Sequence, residues 1–541
     1  METQSIKKKK NNLVIQGSIL AASALIVRLI GFFYRIPLEG ILTDVGNNYY
    51  SSAFIIYTFF LMISTYGFPA AISKIIAEKH AEKRYKEAYY IFKASISLAL
   101  ILGTICALAL WFGADYLAVL TKSPQSNLAI KATAPALFIF SLLSVYRGYF
   151  QGMHTMVPTA ISQIFEQIVN AALSLLLAYL LVGKGYPYAA AGSVIGTGAG
   201  ALVAFIIIIT LYSIASKAIL KKRIRKDRKI FIKKNIFAYW GVILKISIPI
   251  VVGTAILNLS SVIDMIMIKG GMLAHNFTNL QSDTNFGIYT TKNQLLINLP
   301  VTIAAALSMA SIPSISASLI NNNMHEVREK IDAAVRTTLI IVIPAAVGEY
   351  ILAGPIMEML FKTGDLKFAA HLLELSAVSI IFFGIYTVCV GILQGLGKLK
   401  VQIYISIVAV AIKIGLNYLL MYVFNFNIYG AIIANNIFAF VYAMLSIWVI
   451  HGFISFKMDI KKAIVVPIVS AIFMGIFSYL TYYGSGFAGA NNTLSTVAAI
   501  FVGILIYIIF MLKLKGLDED DIINFPKGAM LIKIFKIFRL L

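Results

Sequence analysis

Leu13-Val-Ile-Gln-Gly-Ser-Ile-Leu-Ala-Ala-Ser-Ala-Leu-Ile-Val-Arg28-Leu-Ile-Gly-Phe-Phe-Tyr-Arg35-Ile-Pro-Leu38 carries two charges in an otherwise membrane-compatible run. About 20 predominantly apolar residues suffice to cross a bilayer as a helix, and this stretch exceeds that. Its arginines stand seven residues apart, about two helical turns, so both leave from one face. An arginine within a hydrocarbon-length helix costs several kcal/mol unless it faces a protein interior or an aqueous path. A pair on one face therefore points to a cavity built for an anion.

The rest of the chain repeats the same kind of segment. Of 541 residues, 60% are hydrophobic and 13% charged, whereas a soluble domain is about 45–50% apolar and about 25% charged. The fold class expected is an all-α polytopic membrane protein. The net charge of +23 does not indicate nucleic acid, because the charges flank apolar segments, as they do where an integral protein meets anionic lipid. Cys106 and Cys389 fall inside apolar spans and are expected as small buried side chains, not a disulfide. Lys7 to Lys10 precede an apolar run too long for a signal peptide and without a cleavage site after it, so a retained first helix is expected.

Cutting at polar loops, Gly and Pro gives fourteen spans: 14–37, 51–73, 94–113, 132–150, 157–182, 187–214, 238–268, 287–318, 337–353, 373–396, 401–424, 429–452, 463–484 and 494–512. Lys and Arg concentrate in the even-numbered loops and the termini. By the positive-inside rule both termini lie in the cytoplasm. The densest basic loop runs from Lys217 to Lys234, opposed only by Asp227. In the tail, the acidic run Asp518 to Asp521 precedes Lys533, Lys536 and Arg539, spaced three apart among apolar residues. That pattern predicts an amphipathic helix at the membrane surface.

The basic loop separates two similar halves. Arg147-Gly-Tyr-Phe-Gln-Gly152 is echoed by Val390-Gly-Ile-Leu-Gln-Gly395, an offset of 243 positions, and Pro69 by Pro313, an offset of 244. Ala191-Gly192 parallels Tyr429-Gly430-Ala431 at about 238. The division expected is an N-lobe over 1–216, a basic cytoplasmic linker over 217–237, a C-lobe over 238–455, two extra helices over 456–515 and a cytoplasmic tail over 516–541. Parallel six-helix repeats place a substrate path between lobes that rock. Pro69, Pro249, Pro300, Pro313 and Pro344 mark candidate kinks.

Arg28 stands about 22 Å along its helix, too deep for easy snorkelling; it binds a ligand or pairs with Asp264 or Glu166. Arg35, nearer the outer end, contacts substrate or snorkels. Gln163, Glu166, Gln167 and Asn170 form one polar stripe on span five, lining a cavity or gluing helices together. Asn258 and Asp264 sit on span seven, Lys292 opens span eight, and Lys413 and Asn417 lie on span eleven. Glu349 on span nine is a proton carrier or an ion-pair partner. The substrate-binding set expected is Arg28, Arg35, Gln163, Glu166, Asn170, Asp264, Lys292 and Lys413. An excess of intramembrane cations suits a phosphate-bearing ligand. No P-loop, HExxH or Cys/His metal cluster occurs, and the six histidines are scattered in or near loops. No enzyme activity, cofactor, metal or nucleic-acid partner is expected.

Fourteen spans in two repeats, Arg28-Leu-Ile-Gly-Phe-Phe-Tyr-Arg35-Ile-Pro, Gly67-Phe-Pro-Ala-Ala-Ile-Ser and Arg147-Gly-Tyr-Phe-Gln-Gly-x-x-x-Met-Val-Pro158 resemble the polysaccharide-biosynthesis branch of the multidrug/oligosaccharidyl-lipid/polysaccharide (MOP) exporter superfamily. The resemblance spans essentially the whole chain and is nearest to the SpoVB/YtgP group, related to the MurJ lipid II flippases. It implies transfer of an undecaprenyl-pyrophosphate-linked precursor to the outer leaflet of the cell membrane; a monomer is expected by default. Arg28 matches a family arginine that engages pyrophosphate. Arg35 matches the next with a one-residue shift, and Lys292 a basic residue about one turn away. Leu61-Met-Ile-Ser-Thr-Tyr66 lacks the family's second-helix arginine. The competing expectations are a drug/cation antiporter of the same superfamily and a flippase for another glycan.

Overall fold

The computed structural model describes residues 2–216, 227, 235–320, 322–455, 458–517 and 532. The expected basic linker, except Asp227, and the amphipathic tail helix lie outside the described residues. Every regular element described is helical. In chain order they are α1 (Glu2–Leu61), α2 (Gly67–Ala81), α3 (Tyr85–Leu120), α4 (Asn127–Gly152), α5 (Val157–Leu181), α6 (Tyr186–Ala215), α7 (Ile236–Ala274) and α8 (Asn279–Gly287). Then follow α9 (Gln294–Ile320), α10 (Met324–Ile351), α11 (Ala353–Leu360), α12 (Leu366–Gly395), α13 (Leu399–Asn417), α14 (Asn427–Ile454), α15 (Val466–Phe487) and α16 (Asn492–Lys513). Among the described residues, twelve helical stretches are long and apolar enough to cross a membrane. One of these, Ala22–Ala81, holds expected span two and most of expected span one, and α9 overlaps expected span eight over 294–318.

The first two spans are not separated by a loop. Residues 38–50 were expected to lie outside the membrane helices because they are polar, yet they continue α1. Glu39, Asp44, Asn47 and Asn48 are all buried. The chain turns at a single residue, Thr43 (φ 55°, ψ −179°). A β-branched residue rarely takes a positive φ. Here the Asn47 Nδ2 donates to the Thr43 carbonyl at 2.8 Å, and Asn48 Nδ2 reaches Ser123 Oγ at 3.2 Å. Two helices thus meet at Thr43 with no loop between them, and the buried amides bond at the break, so the polar sequence stays helical on either side of it.

The chain forms two compact units. One comprises residues 1–291 with 406–410 and 417–427; the other comprises 292–405, 411–416 and 428–541. In the first, Phe68, Ile72 and Ile76 of α2, Phe92 of α3, Leu143 and Tyr149 of α4, Ile208 of α6 and Ile243 of α7 make one core. The repeated glycine motif explains its closeness. A Cβ on Gly148 would stand 2.8 Å from Pro69 Cα, and one on Gly152 would stand 2.8 Å from the Ser73 carbonyl oxygen. Only glycine lets α4 approach α2 this closely. The two sequence motifs of the first half are thus two sides of one contact.

In the second unit the counterpart motif also lies at a helix contact. The Ser316 hydroxyl of α9 donates to the Gly395 carbonyl of α12 at 2.9 Å. Helices α15 and α16 pair with each other, where Ser478 Oγ donates to the Ala499 carbonyl at 3.1 Å. They dock on α10, whose Ile340 carbonyl accepts from the Tyr507 hydroxyl at 2.9 Å. Cys106 and Cys389 are buried free thiols.

Candidate substrate site

The polar stripe of α5 is held in place by α6. A Cβ on Gly200 would collide with the Glu166 carbonyl oxygen, so α6 can approach here only with glycine. Asn170 faces this seam: its Oδ1 accepts from Ser174 Oγ at 2.9 Å and from Thr197 Oγ1 at 3.1 Å. The second of these bonds ties α5 to α6. Gln163 and Glu166 lie further toward the start of α5. Glu166 forms an ion pair at 2.7 Å with Arg147 of α4, whose Nε also donates to Ser162 Oγ at 3.0 Å. Both side chains are largely buried, 12% and 17% exposed. The carboxylate available to Arg28 in the sequence reading is thus engaged by Arg147.

Around this pair three buried polar atoms have no hydrogen-bond partner among the described residues: the Tyr57 hydroxyl, Thr159 Oγ1 and Gln163 Oε1. Tyr57 lies within electrostatic range of Glu166. Buried polar atoms are paired in the great majority of cases. Three such atoms on α1 and α5 leave hydrogen-bonding capacity unused near the ion pair.

The two arginines of α1 have different surroundings. Arg28 is exposed, with Tyr66 as an electrostatic neighbour. One turn on, Gly31 faces α5, where a Cβ would stand 3.2 Å from Gln167 Nε2. Arg35 is placed differently: its guanidinium lies beside the Tyr34 and Tyr50 hydroxyls and 5.5 Å from the centre of the Phe54 ring, with its buried Nε unpartnered among the described residues. Those hydroxyls are 3.2 Å apart, and Tyr50 stacks on Phe54. A cation–π contact is worth about 0.5–2 kcal/mol depending on how far it is desolvated, and it favours this placement of the side chain.

The other predicted residues are similarly placed by their partners. Asp264 accepts from Asn417 Nδ2 at 2.9 Å. In the second unit, Lys292 is wholly buried; its Nζ donates to the Thr363 carbonyl at 2.6 Å and lies 5.9 Å from the Phe361 ring centre. Lys413, 6% exposed, lies 4.8 Å from the Phe438 ring centre. Glu349 has a buried Oε2 without a partner among the described residues. Two groups escaped the sequence reading. Arg147 sits inside expected span four but reads as a flanking charge of the glycine motif. Lys269, wholly buried on α7, pairs with Asp283 of α8 at 3.0 Å. Burial holds the Asp283 carboxyl above its usual range, with the Lys269 ammonium opposing that rise.

The helices and their ionised interior define the class: a multi-pass α-helical membrane protein with charged side chains at membrane depth, organised as MOP-superfamily transporters are. The chain belongs to the family described as "Polysaccharide biosynthesis protein", whose sequence profile matches residues 13–319, more than half of it. A second profile, MatE, matches residues 249–419. The lipid II flippase MurJ of Bacillus subtilis (strain 168) is 28% identical over 497 residues, covering 87% of this chain and 88% of that protein. Stage V sporulation protein B of the same organism is 24% identical over 523 residues, covering 95% and 98%. Among solved structures, the lipid II flippase MurJ in an inward closed conformation superposes with a TM-score of 0.66 at 17% identity, covering 91% of this chain and 97% of that one. The chain is a flippase or transporter of the MOP superfamily, related to MurJ and SpoVB.

Proposed function

We propose that this protein moves a prenyl-pyrophosphate-linked glycan, in the first instance the peptidoglycan precursor lipid II, from the inner to the outer leaflet of the plasma membrane. The observation that carries the reading is the contrast between the arginines of α1. Arg35 sits among aromatic rings, whereas Arg28, two turns earlier on the same helix, is an exposed position with Tyr66 as its electrostatic neighbour. A planar fork with several donors suits a pyrophosphate. The orphan polar atoms beside Arg147 and Glu166 supply donors and acceptors for sugar hydroxyls. The prenyl chain stays in lipid while the head group crosses, and rocking of an N-terminal lobe (1–216) against a C-terminal lobe (238–455) alternates its access. Both termini lie in the cytoplasm, and the protein acts as a monomer.

The test is complementation in a strain depleted of its other flippases. Arg28→Ala, at wild-type abundance, loses complementation, while Arg28→Lys keeps part of it because the charge remains without the fork. Full complementation by Arg28→Ala refutes the proposal. The MatE profile match over 249–419 favours one other reading, a drug/cation antiporter. That reading predicts altered drug susceptibility on overexpression, with no dependence on Arg28.

A further inference from the structure

The second unit holds a cavity of about 330 Å³ between α10, α12 and α14, unrelated to the residues above. Val335, Cys389, Ile392, Met444, Trp448 and His451 line it. This volume is at the small end of the range for ligand sites, about 300–1,000 Å³. Its wall is apolar except at one end, where His451 and Trp448 stand; Trp448 is 73% exposed. An exposed indole beside an apolar wall is typical of the boundary between hydrocarbon and head groups.

The same end is cationic. Arg328 lies one turn before the lining residue Ile331, and its Nε donates to the Ile454 carbonyl at 2.6 Å, capping the end of α14. That bond uses one edge of the guanidinium, and the residue as a whole is exposed. Lys398, also exposed, lies 4.3 Å from the centre of the Phe453 ring. Two permanent cations and a histidine thus cluster within about a turn of an apolar slot. The nearby Asp459 is turned to the Lys462 backbone N–H at 3.2 Å.

We propose that this cavity seats one acyl chain of an anionic glycerophospholipid, with its phosphate held by Arg328, Lys398 and His451. An apolar slot continuous with a cationic rim matches a chain joined to an anionic head group. A basic residue near an anionic head group contributes about 1 kcal/mol. A zwitterionic lipid gains no such net attraction, and a prenyl alcohol offers no charge at all.

The test uses Trp448 as the reporter. The full-length protein is reconstituted in vesicles containing brominated-chain phosphatidylglycerol or brominated-chain phosphatidylcholine at equal mole fraction, and tryptophan quenching is compared. Subtracting the Trp448→Phe signal removes the contributions of Trp111 and Trp240. The Trp448 component is expected to show roughly thirtyfold preference for the phosphatidylglycerol, as two such contacts, from Arg328 and Lys398, give. Arg328→Gln with Lys398→Gln abolishes the preference, and Val335→Phe, which fills the slot, lowers the quenching. Equal quenching of the wild type by the two lipids overturns the proposal without relying on any cavity variant. So does a preference that survives the double charge substitution. Displacement of the brominated lipid by undecaprenol as effectively as by unbrominated phosphatidylglycerol overturns it as well.

Discussion

Separating Arg147 from Glu166 gives the most quantitative test of the site's architecture. At 2.7 Å the gross attraction of two unit charges is about 6 kcal/mol at an effective dielectric of about 20. Most of it offsets the desolvation of two side chains that are only 12% and 17% exposed. A net coupling of about 2 kcal/mol remains, in the range of buried charge-assisted hydrogen bonds. Arg147→Ala alone costs more, about 3 kcal/mol or above, because it leaves the largely buried Glu166 carboxylate without its cation. Adding Glu166→Ala should recover much of that loss. The assay is a double-mutant cycle from reversible unfolding in mixed micelles. A coupling under about 0.5 kcal/mol, as for an exposed surface pair, would refute the reasoning.

Gly148→Ala, whose new Cβ would stand 2.8 Å from Pro69 Cα, should destabilise by about 1–3 kcal/mol. Gly183→Ala, with nothing within 4 Å, should stay within about 0.5 kcal/mol; melting temperatures of the purified variants decide both. Asp283→Asn strands the buried Lys269 ammonium and should cost about 3–5 kcal/mol, with recovery in Lys269→Met combined with Asp283→Leu. Lys292→Met removes the 2.6 Å bond to the Thr363 carbonyl. It is expected to lower stability, and transport per folded molecule should change little; a transport defect at wild-type stability would put Lys292 on the substrate path.

Hydropathy alone revealed the helical class, because apolar runs of bilayer length have few alternative folds. The glycine motifs were legible as a repeat, and their meaning became physical only in the α2–α4 and α9–α12 contacts. The boundary of the first two spans was not legible: the polarity of residues 38–50 reads as a loop, while the structure buries those amides around Thr43. Arg35 could not be placed by periodicity either. Its aromatic partner Tyr50 lies beyond the break, where helical phase is lost. The stripe on span five was visible as a stripe, but periodicity cannot tell that Asn170 turns to Thr197 while Glu166 turns to Arg147. Lys269 and Asp283 lie 14 residues apart across a turn, a spacing that predicts no contact. Such pairings are properties of tertiary packing, and nothing in the local pattern encodes them.

The central claim is that Arg28 takes the pyrophosphate of a lipid-linked glycan during its passage between leaflets. Its direct measurement is flipping of a fluorescent lipid II in vesicles containing the purified protein, read by quenching from the outer face. Wild type is expected to expose the probe within the assay, and Arg28→Ala, equally folded and reconstituted, to lose at least about tenfold in rate, the equivalent of one charge-assisted contact. Equal rates for the two proteins would contradict the account.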